Sequence, residues 1–392
     1  MPRQSVPRTL SLHELNRATL SRQLLLRRSR LGVVDAIDRL APLQAQWPPS
    51  PYIALWSRLA RFERADLSLA IEERRVVKAT LMRVTLHLVS AREYRPYAAV
   101  AADAGIRWFQ AVAESTGLRT EHINDELVEF TREARTLREI GDFVVARIGP
   151  TGHPSATVAR YALWELLRSG RTLVNAAPNG LWDHYRGGHY VAADVWLGSA
   201  RAPALRDAAT HLLRRYFAAF GPASLADALS WSRARPALLR EALAGLEPEL
   251  VTFRDERGRT LYDLRSAPRP RDAEAPVRFL PKWDQLLLAY EPKTRDRVLP
   301  EHVRKATIAV NGDVMPTVLV DGTVAARWDA REAGRTAVLS IAPFKRLAAA
   351  ARTAAVDEGE RLVRFIYPGA ATHQVRFTSA DGIPRWNLSL KP

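Results

Sequence analysis

The feature that most constrains this sequence is an order of elements, helices followed by a short hairpin, that occurs three times. In the first pass, apolar residues with the 3.6-residue period of an amphipathic helix, such as Leu20 and Leu24, precede the β-branched runs "VVKATLMR" and "TLHLVS". Helices followed by a tight hairpin are typical of a winged helix-turn-helix, a DNA-binding unit. Three such units in succession predict a tandem DNA-binding scaffold.

Each pass has its own candidate elements and expected limits. The first contains helices at 11–30, 32–43, 52–62 and 65–74 before its hairpin. The second contains "LREIGDFVVARIG" and "SATVARYALWELLRSGR", then a strand–turn–strand in "TLVNAAPNGLWDHY". The third contains "SLADALSWS" and "RPALLREALAGLE", then the hairpin "LVTFRDERGRTLYDL". The expected winged-helix domains are therefore 1–116, which holds a Gln-x-Gln motif, 117–200 and 201–268.

A Pro- and charge-rich linker, "SAPRPRDAEAP", separates these units from a C-terminal part whose sequence is richer in predicted strands. Strands are expected in "DQLLLAY", "ATIAV", "PTVLVDGTVAARW" and "TAVLSIAPF", with hairpin turns at Asn311-Gly312 and Asp321-Gly322. A helix at 345–366 follows. The sequence thus predicts an α+β fold in which a β-rich α+β unit, 277–392, packs on three winged helices.

Composition indicates the partner and excludes several chemistries. The formal net charge of +16 favours a polyanion, and nucleic acid is the expected one. The absence of cysteine excludes disulfides, thiolate metal sites and a cysteine nucleophile, and it fits a reducing compartment. The first ten residues, "MPRQSVPRTL", have no apolar core of the kind that a signal peptide needs, and no run approaches the ~18 uncharged residues of a membrane helix. We therefore expect a soluble, cytoplasmic protein.

The usual catalytic signatures are missing from the sequence. It has no Gly-rich phosphate loop, no G-x-S-x-G elbow and no H-E-x-x-H motif. Its nine histidines are scattered without the spacing of metal ligands. We accordingly expect neither a cofactor nor a metal ion.

Two amides stand in an apolar, proline-rich stretch, "PLQAQWPPSPY". In a helix the side chains of Gln44 and Gln46 would diverge by about 200°, whereas in an extended segment they point to one side. The following prolines bias Trp47, Pro48 and Ser50 toward extended geometry. We therefore expect the amides to converge. Two roles stay open for them, orienting a water molecule or tying a loop to backbone groups.

Four segments resemble the winged-helix DNA glycosylases of the AlkZ/YcaQ group, and the resemblance runs from about residue 12 to 377. The segments are "LAPLQAQWPPSPYIALWSRL", "VVKATLMRVTLHLVS", "RFLPKWDQLLLAY" and "PTVLVDGTVAARW". The diagnostic element of the group is Gln–apolar–Gln or Gln–apolar–Asp in the first winged helix. Gln44, Ala45 and Gln46 match the first form, as in the AlkZ-like branch. One departure is Val84, where relatives usually carry glycine.

The resemblance implies a monofunctional DNA glycosylase that excises bulky N7-alkylated purines and unhooks interstrand cross-links, in self-resistance to a natural-product alkylating agent. It implies that Gln44 and Gln46 are catalytic and position the water that attacks C1′. An N7-alkylated purine is cationic, so its glycosidic bond needs no general acid, and the reaction depends on positioning and dipoles. A cross-linked base cannot be flipped fully out of the duplex, which favours an open, concave scaffold around the DNA.

Other residues are candidates for DNA contacts or for a lesion cleft. The guanidinium groups of Arg83, Arg160 and Arg327 are expected to bind phosphates, with an ordinary surface arginine as the alternative for each. The expected cleft residues are Trp47, Tyr52, His87, Trp283 and Asp284. Core packing is the alternative for Tyr52. A satisfied structural role is the alternative for His87, and a capping or salt-bridged role for Asp284.

Two further classes of protein stay open. A non-catalytic winged-helix transcriptional regulator would read half-sites as a dimer, although no dimerisation helix or effector domain is visible. An RNA-binding factor would carry an aromatic RNP-type strand or a KH loop, and neither is visible. The expected partner is double-stranded DNA carrying alkylated purines or cross-links, bound by a monomer and without a membrane.

Overall fold

The computed structural model describes residues 7–104, 123–148, 173–185, 187–379 and 382–383, and it has an α+β architecture. The first segment follows the predicted order of helices and hairpin, and residues 94–104 are also helical. Its elements are β1 (Thr9–Leu10), α1 (Leu12–Arg22), α2 (Val33–Leu40), β2 (Leu43–Gln44), α3 (Pro49–Arg58), α4 (Arg64–Glu72), β3 (Val76–Thr80) and β4 (Leu86–Ser90).

The first helix is shorter than predicted. A capping box at Ser11 and Glu14 begins α1, as the sequence order Ser-x-x-Glu favours. The helix ends at Arg22 rather than near residue 30, because Leu24 takes a φ of 56° and the chain turns. Leu24 then packs against one hydrophobic cluster while Leu25 lies in another. The apolar period continues past the turn, so it does not reveal where the helix stops.

The third helix begins earlier than predicted, at Pro49. Proline lacks an N–H and has a fixed φ near −65°, which suits the first turn of a helix. Pro48 is the N-cap with helical angles, and Ser50 lies inside the first turn. The expectation that the prolines extend Pro48 and Ser50 is therefore wrong.

The second segment contains α5 (Ile123–Phe130), β5 (Arg135–Thr136), α6 (Leu137–Ile148), β6 (Leu173–Ala176), β7 (His189–Ala192) and α7 (Ala193–Leu197). The helix predicted in "SATVARYALWELLRSGR" lies outside the described residues. The second strand of the predicted hairpin does not begin at "LWDHY", which forms turns and bends, but at His189. In the segment between β6 and β7, Trp182 is buried: it is 8% exposed, and its ring meets the Tyr52 ring edge-on at 5.5 Å.

The third segment matches its predicted elements closely. It contains α8 (Leu205–Phe220), α9 (Leu225–Ser232), α10 (Pro236–Leu246), β8 (Leu250–Asp255) and β9 (Thr260–Leu264). The hairpin turn lies where predicted, with Gly258 at a φ of 75° that few other residues adopt. The predicted linker, 266–276, has no helix or strand.

The C-terminal part contains β10 (Arg278–Leu280), α11 (Glu301–Thr307), β11 (Thr317–Val320), β12 (Thr323–Ala333), β13 (Thr336–Pro343), α12 (Ala349–Ile366) and β14 (Thr372–Phe377). Two predicted strands are wrong. "DQLLLAY" forms a short 3₁₀ helix, Gln285–Leu288, because Asp284 caps it by accepting from the Leu286 N–H. "ATIAV" is the end of α11 and a single bridge from Ile308 to Val314. Within the described ranges, no helix is long and apolar enough to cross a bilayer.

The hairpins of the first two segments form one sheet, with the strand order β2-β4-β3-β6-β7-β5. A closed set of polar contacts joins β3 to the turn after β6. The Lys78 ammonium donates to Asn179 Oδ1 (3.0 Å), the Asn179 amide donates to Asn175 Oδ1, and the Asn175 amide donates to the Lys78 carbonyl (3.2 Å). Burial lowers the pKa of Lys78 from 10.5 to about 8.

Two fully buried arginine–aspartate pairs connect distant parts of the chain. Arg22 of α1 binds Asp263 of β9 with two hydrogen bonds of 2.6 and 2.8 Å. Arg58 of α3 binds Asp284 with two bonds of 2.9 and 2.8 Å. All four side chains are 0% exposed. Removing one partner of such a pair leaves a buried, uncompensated charge.

We expect Asp284→Ala to lower the free energy of unfolding by about 3–5 kcal/mol, because the Arg58 guanidinium would stay buried without its carboxylate. Urea denaturation measures the change. A matched control is Glu301→Ala, whose partner Arg304 is partly exposed and which should change stability by less than about 1 kcal/mol. Equal effects of the two substitutions would contradict the structural role given to Asp284.

Lys78 should make stability depend on pH in a defined window. Its pKa is about 8 when folded and 10.5 when unfolded, so the unfolded chain binds more protons between these values and stability rises with pH there. The free energy of unfolding of the wild type, minus that of Lys78→Met, should therefore increase from pH 7 to pH 10 by up to about 3 kcal/mol. Paired urea titrations at both pH values measure this difference, which should not decrease.

Candidate active site

The Gln motif lies in the segment Leu43–Trp47, of which Leu43 and Gln44 form strand β2. Leu43, Ala45 and Trp47 lie in one hydrophobic cluster and are 0%, 2% and 6% exposed. Side chains two residues apart on an extended chain point to one side, but the chain bends at Gln46 and Trp47, beyond strand β2. Pairing of β2 with β4 extends the chain at Gln44, rather than the prolines that follow it, and convergence of the two amides stays a prediction.

A donor fixes the oxygen of each amide. Gln44 is 5% exposed, and its Oε1 accepts from Arg83 Nη2 at 3.0 Å. Gln46 is half-buried, and its Oε1 accepts from the Leu86 N–H at 2.8 Å. Guanidinium and backbone N–H groups can only donate, so the chemistry of the partners sets which end of each amide faces them. A carbonyl oxygen has two lone pairs, so each Oε1 retains one for a water molecule.

Arg83 links this face to the third segment. Its Nη1 donates to the Trp231 carbonyl at 2.8 Å, while Nη2 holds Gln44. Burial, together with the positive charges of Arg295 and Arg233, lowers the pKa of Arg83 to about 10. The guanidinium is therefore still charged at neutral pH. The sequence predicts that it binds phosphates, whereas here it bonds to Gln44 and to the Trp231 carbonyl.

His87 lies directly opposite Gln44 in the β2–β4 pair and is 1% exposed. Its Nδ1 is 2.8 Å from the Thr85 carbonyl, which can only accept, so Nδ1 carries the proton. Burial, and then the charge of Arg83, lowers the pKa of His87 from 6.5 to about 3. The imidazole is thus neutral at physiological pH, beside the candidate site rather than in an open cleft.

Several predicted cleft residues are in the interior instead. Tyr52 is 0% exposed and its hydroxyl bonds to Ser68; burial raises the pKa of Tyr52 to about 12. Asp284 is both a cap and the partner of Arg58, and Trp47 is a core residue. A cleft role does not fit Tyr52 or Asp284, because their side chains are fully buried. Trp47 is about as exposed as Gln44, so a cleft role for Trp47 stays a prediction. The alternatives, core packing for Tyr52 and a capping and salt-bridged role for Asp284, do fit.

The three remaining predicted site residues have different outcomes. Arg327 lies within β12 and is only 5% exposed, so this placement offers little of it to a phosphate. Trp283 is half-buried at a strained φ of 54°, and its Nε1 donates to the Gly312 carbonyl at 3.3 Å. A cleft role for Trp283 stays a prediction. Arg160 lies outside the described residues.

Sequence reasoning missed two arginines near the amides. Arg233 and Arg295 are close enough for their charges to lower the pKa of Arg83. Arg233 is exposed at the end of α9, and no other described residue pairs with its side chain. Both lie far from Gln44 along the chain, so no local pattern could have identified them. Within the described residues, no group of three or more His, Cys, Asp or Glu side chains could hold a metal ion.

Helices followed by hairpins, with arginines beside two fixed amides, are typical of a winged-helix DNA-binding protein. Among the described residues, the amide oxygens bond to a guanidinium and a backbone N–H and to no carboxyl group. The AlkZ-like DNA glycosylase family matches residues 37–365, and the chain belongs to this family. It is therefore a DNA glycosylase, an enzyme that hydrolyses N-glycosidic bonds, and its substrate is DNA. This assignment favours the enzyme over the non-catalytic regulator.

Two relatives come from Streptomyces sahachiroi. A protein named as an interstrand DNA cross-link repair glycosylase is 27% identical over 327 residues, which cover 79% of this chain and 85% of the relative. The solved structure of the DNA glycosylase AlkZ matches with a TM-score of 0.76 at 20% identity, covering 94% of this chain and 100% of that one. The second match shows the fold.

The neutral state of His87 generates a prediction about pH. Its pKa of about 3 lies below the physiological range, and amides do not titrate there. The single-turnover rate of base release from DNA containing N7-methylguanine should therefore be nearly constant from pH 5.5 to 8.5. A rate that changes with a midpoint near 6.5 would show that a histidine titrates in the reaction.

Proposed function

We propose that Gln44 and Gln46 together hold the water molecule that attacks C1′ of an N7-alkylated purine nucleotide. The observation that carries this proposal is the donor that fixes the oxygen of each amide, which leaves one oxygen lone pair on each for the water. A water bound between two acceptors has its protons directed to the amides. A lone pair of its oxygen then forms the bond to C1′ as the bond from C1′ to N9 breaks. The cationic base leaves as a neutral purine, and the surplus proton of the water passes to solvent, because an amide does not take up a proton near neutral pH.

The chemistry of the lesion suits an uncharged site. Alkylation at N7 already makes the purine a good leaving group, and the reaction passes through an oxocarbenium-like state that dipoles stabilise. The carboxylate that the sequence analysis placed among the cleft residues, Asp284, is engaged with Arg58, so it does not supply a general base. Positioning by Gln44 and Gln46 then accounts for the rate enhancement.

We extend the proposal to bulky adducts and interstrand cross-links. The support is the Streptomyces sahachiroi relative, which is named for cross-link repair. A base tethered to the opposite strand cannot enter a closed pocket, so a cross-linked substrate requires a site that is open to the duplex. Adducts of natural-product alkylating agents are the lesions that we propose. A panel of N7-guanine adducts, scored for base release, tests which of them the enzyme accepts.

The amide pair gives the central prediction. Gln44→Ala and Gln46→Ala should each lower the single-turnover rate of base release by ~10- to 1000-fold while DNA affinity stays nearly unchanged, because the lost contact acts mainly in the transition state. Gln46→Asp should retain more activity than Gln46→Ala, since an anion can act as a base. Excision rates and melting temperatures are measured on the same preparations.

The alternative role of the amides, tying a loop to the backbone, has a different outcome. Both alanine variants would then melt earlier, and activity would fall only in proportion to the unfolded fraction. Full activity in a well-folded variant that lacks both Gln44 and Gln46 would end the proposal.

DNA binding should be electrostatic, with Arg233 as one contact. Affinity for undamaged duplex should fall about tenfold or more between 50 and 200 mM salt. Arg233→Ala should reduce the slope of log affinity against log salt by about one, with little change in the excision rate at saturating enzyme. The matched control is Arg214→Ala, because Arg214 is engaged with Glu249 and its removal should leave the slope unchanged.

A further inference from the structure

We propose that Arg83 is a positioning residue for base excision, which fixes the Gln44 amide from an anchor on the third segment rather than binding a phosphate. This inference rests on the proposed role of Gln44. The guanidinium is a rigid plane whose two terminal nitrogens bond to different partners, Gln44 Oε1 at 3.0 Å and the Trp231 carbonyl at 2.8 Å. Holding both acceptors at once fixes the direction of the guanidinium.

The Trp231 carbonyl, which anchors Arg83, is rigidly held and bears partial negative charge. Trp231 is 1% exposed, and its ring packs against those of Tyr216 and Phe220 at 5.3 and 5.9 Å. Its carbonyl lies in the last turn of α9, which ends at Ser232. Carbonyl groups at a helix C-terminus have no intrahelical partner and bear partial negative charge, so they favour a cation.

The hairpin tip is bent to bring Arg83 to this position. Arg83 and Val84 both have a φ of 56° in the turn between β3 and β4. This left-handed conformation is uncommon outside glycine and is strained for a β-branched residue such as Val84. Such strain persists where surrounding contacts hold it, and the two bonds of the Arg83 guanidinium are contacts of that kind.

Fixing the amide has a consequence for the water. Without a donor at Oε1, the Gln44 side chain can rotate about its terminal torsion, which has a broad, two-fold preference. The nitrogen, which cannot accept, would then occupy the oxygen position for part of the time. The bond from Arg83 removes that alternative. Arg83 thus acts through Gln44 and does not itself need to touch the DNA.

A double-substitution experiment on the full-length protein tests the inference. Arg83→Ala should slow single-turnover excision of N7-methylguanine by ~10- to 100-fold in the native background, with the dissociation constant for DNA and its salt slope unchanged. In the Gln44→Ala background the same change should slow the reaction less than about threefold, because the group that Arg83 positions is already missing. Arg214→Ala is the control for the loss of one surface arginine.

The conservative variant separates orientation from charge. Arg83→Lys keeps the positive charge but cannot hold both acceptors in one plane, so its rate should lie between those of the wild type and Arg83→Ala. A phosphate contact would instead survive in Arg83→Lys, and Arg83→Ala would lower the salt slope by about one. A purely structural role would lower the melting temperature and slow both backgrounds equally. Either result overturns the inference.

Failure of this inference can be told apart from failure of the proposed function. If Gln44→Ala excises at the full rate, the role of the amide is lost whatever Arg83 does. If Gln44→Ala is slow while Arg83→Ala is as fast as the wild type, the amide role stands and only the role of Arg83 is refuted.

Discussion

The position of the amide pair depends on the buried ion pair between Arg58 and Asp284. Arg58 ends α3, the helix that follows the Gln motif, and Asp284 belongs to the C-terminal part. Ser50, at the other end of α3, donates to the Lys282 carbonyl at 2.7 Å, so both ends of the helix are tied to the same strand–turn segment. A desolvated pair contributes little net stability but strongly penalises any arrangement that separates its partners. The pair therefore restricts α3, and with it the strand that precedes α3, to one position.

The charges beside Gln44 are positive, opposite in sign to the phosphates of DNA. Cations lie beside Gln44, whereas the carboxylate of Asp284 is neutralised at a distance by Arg58. A charged general base next to Arg83 would form an ion pair with it and lose basicity. Amides avoid that competition, since they remain neutral and can bond to a guanidinium and a water at once. The positive surroundings attract the negative phosphates of DNA, and each phosphate that is neutralised releases condensed counterions.

The sequence predicts what is local and misses what depends on distant partners. The hairpins at β3–β4 and β8–β9 and the Asp321-Gly322 turn follow from period and turn chemistry that a few neighbouring residues carry. The extended geometry at Gln44 depends instead on pairing with β4. The 3₁₀ helix after Asp284 looks like a strand in the sequence, because four apolar residues in a row fit either structure. The bond from Arg83 to Trp231 joins residues 148 positions apart. The low pKa of His87 arises from burial under other segments, and neither effect has a local sequence signal.

The end of α9 contributes to two proposed roles, holding Arg83 and binding a phosphate. Trp231 supplies the carbonyl that anchors Arg83, and two residues later Arg233 is exposed to solvent. The same helix terminus therefore links the orientation of Gln44 to a surface on which we propose a phosphate binds. The components of this link do not titrate near neutrality: one is a backbone carbonyl, one is a guanidinium with a pKa of about 10, and the neighbouring imidazole has a pKa of about 3. Because none of them changes charge between about pH 4 and 9, we expect the proposed water site to keep one geometry across the range in which DNA itself is intact.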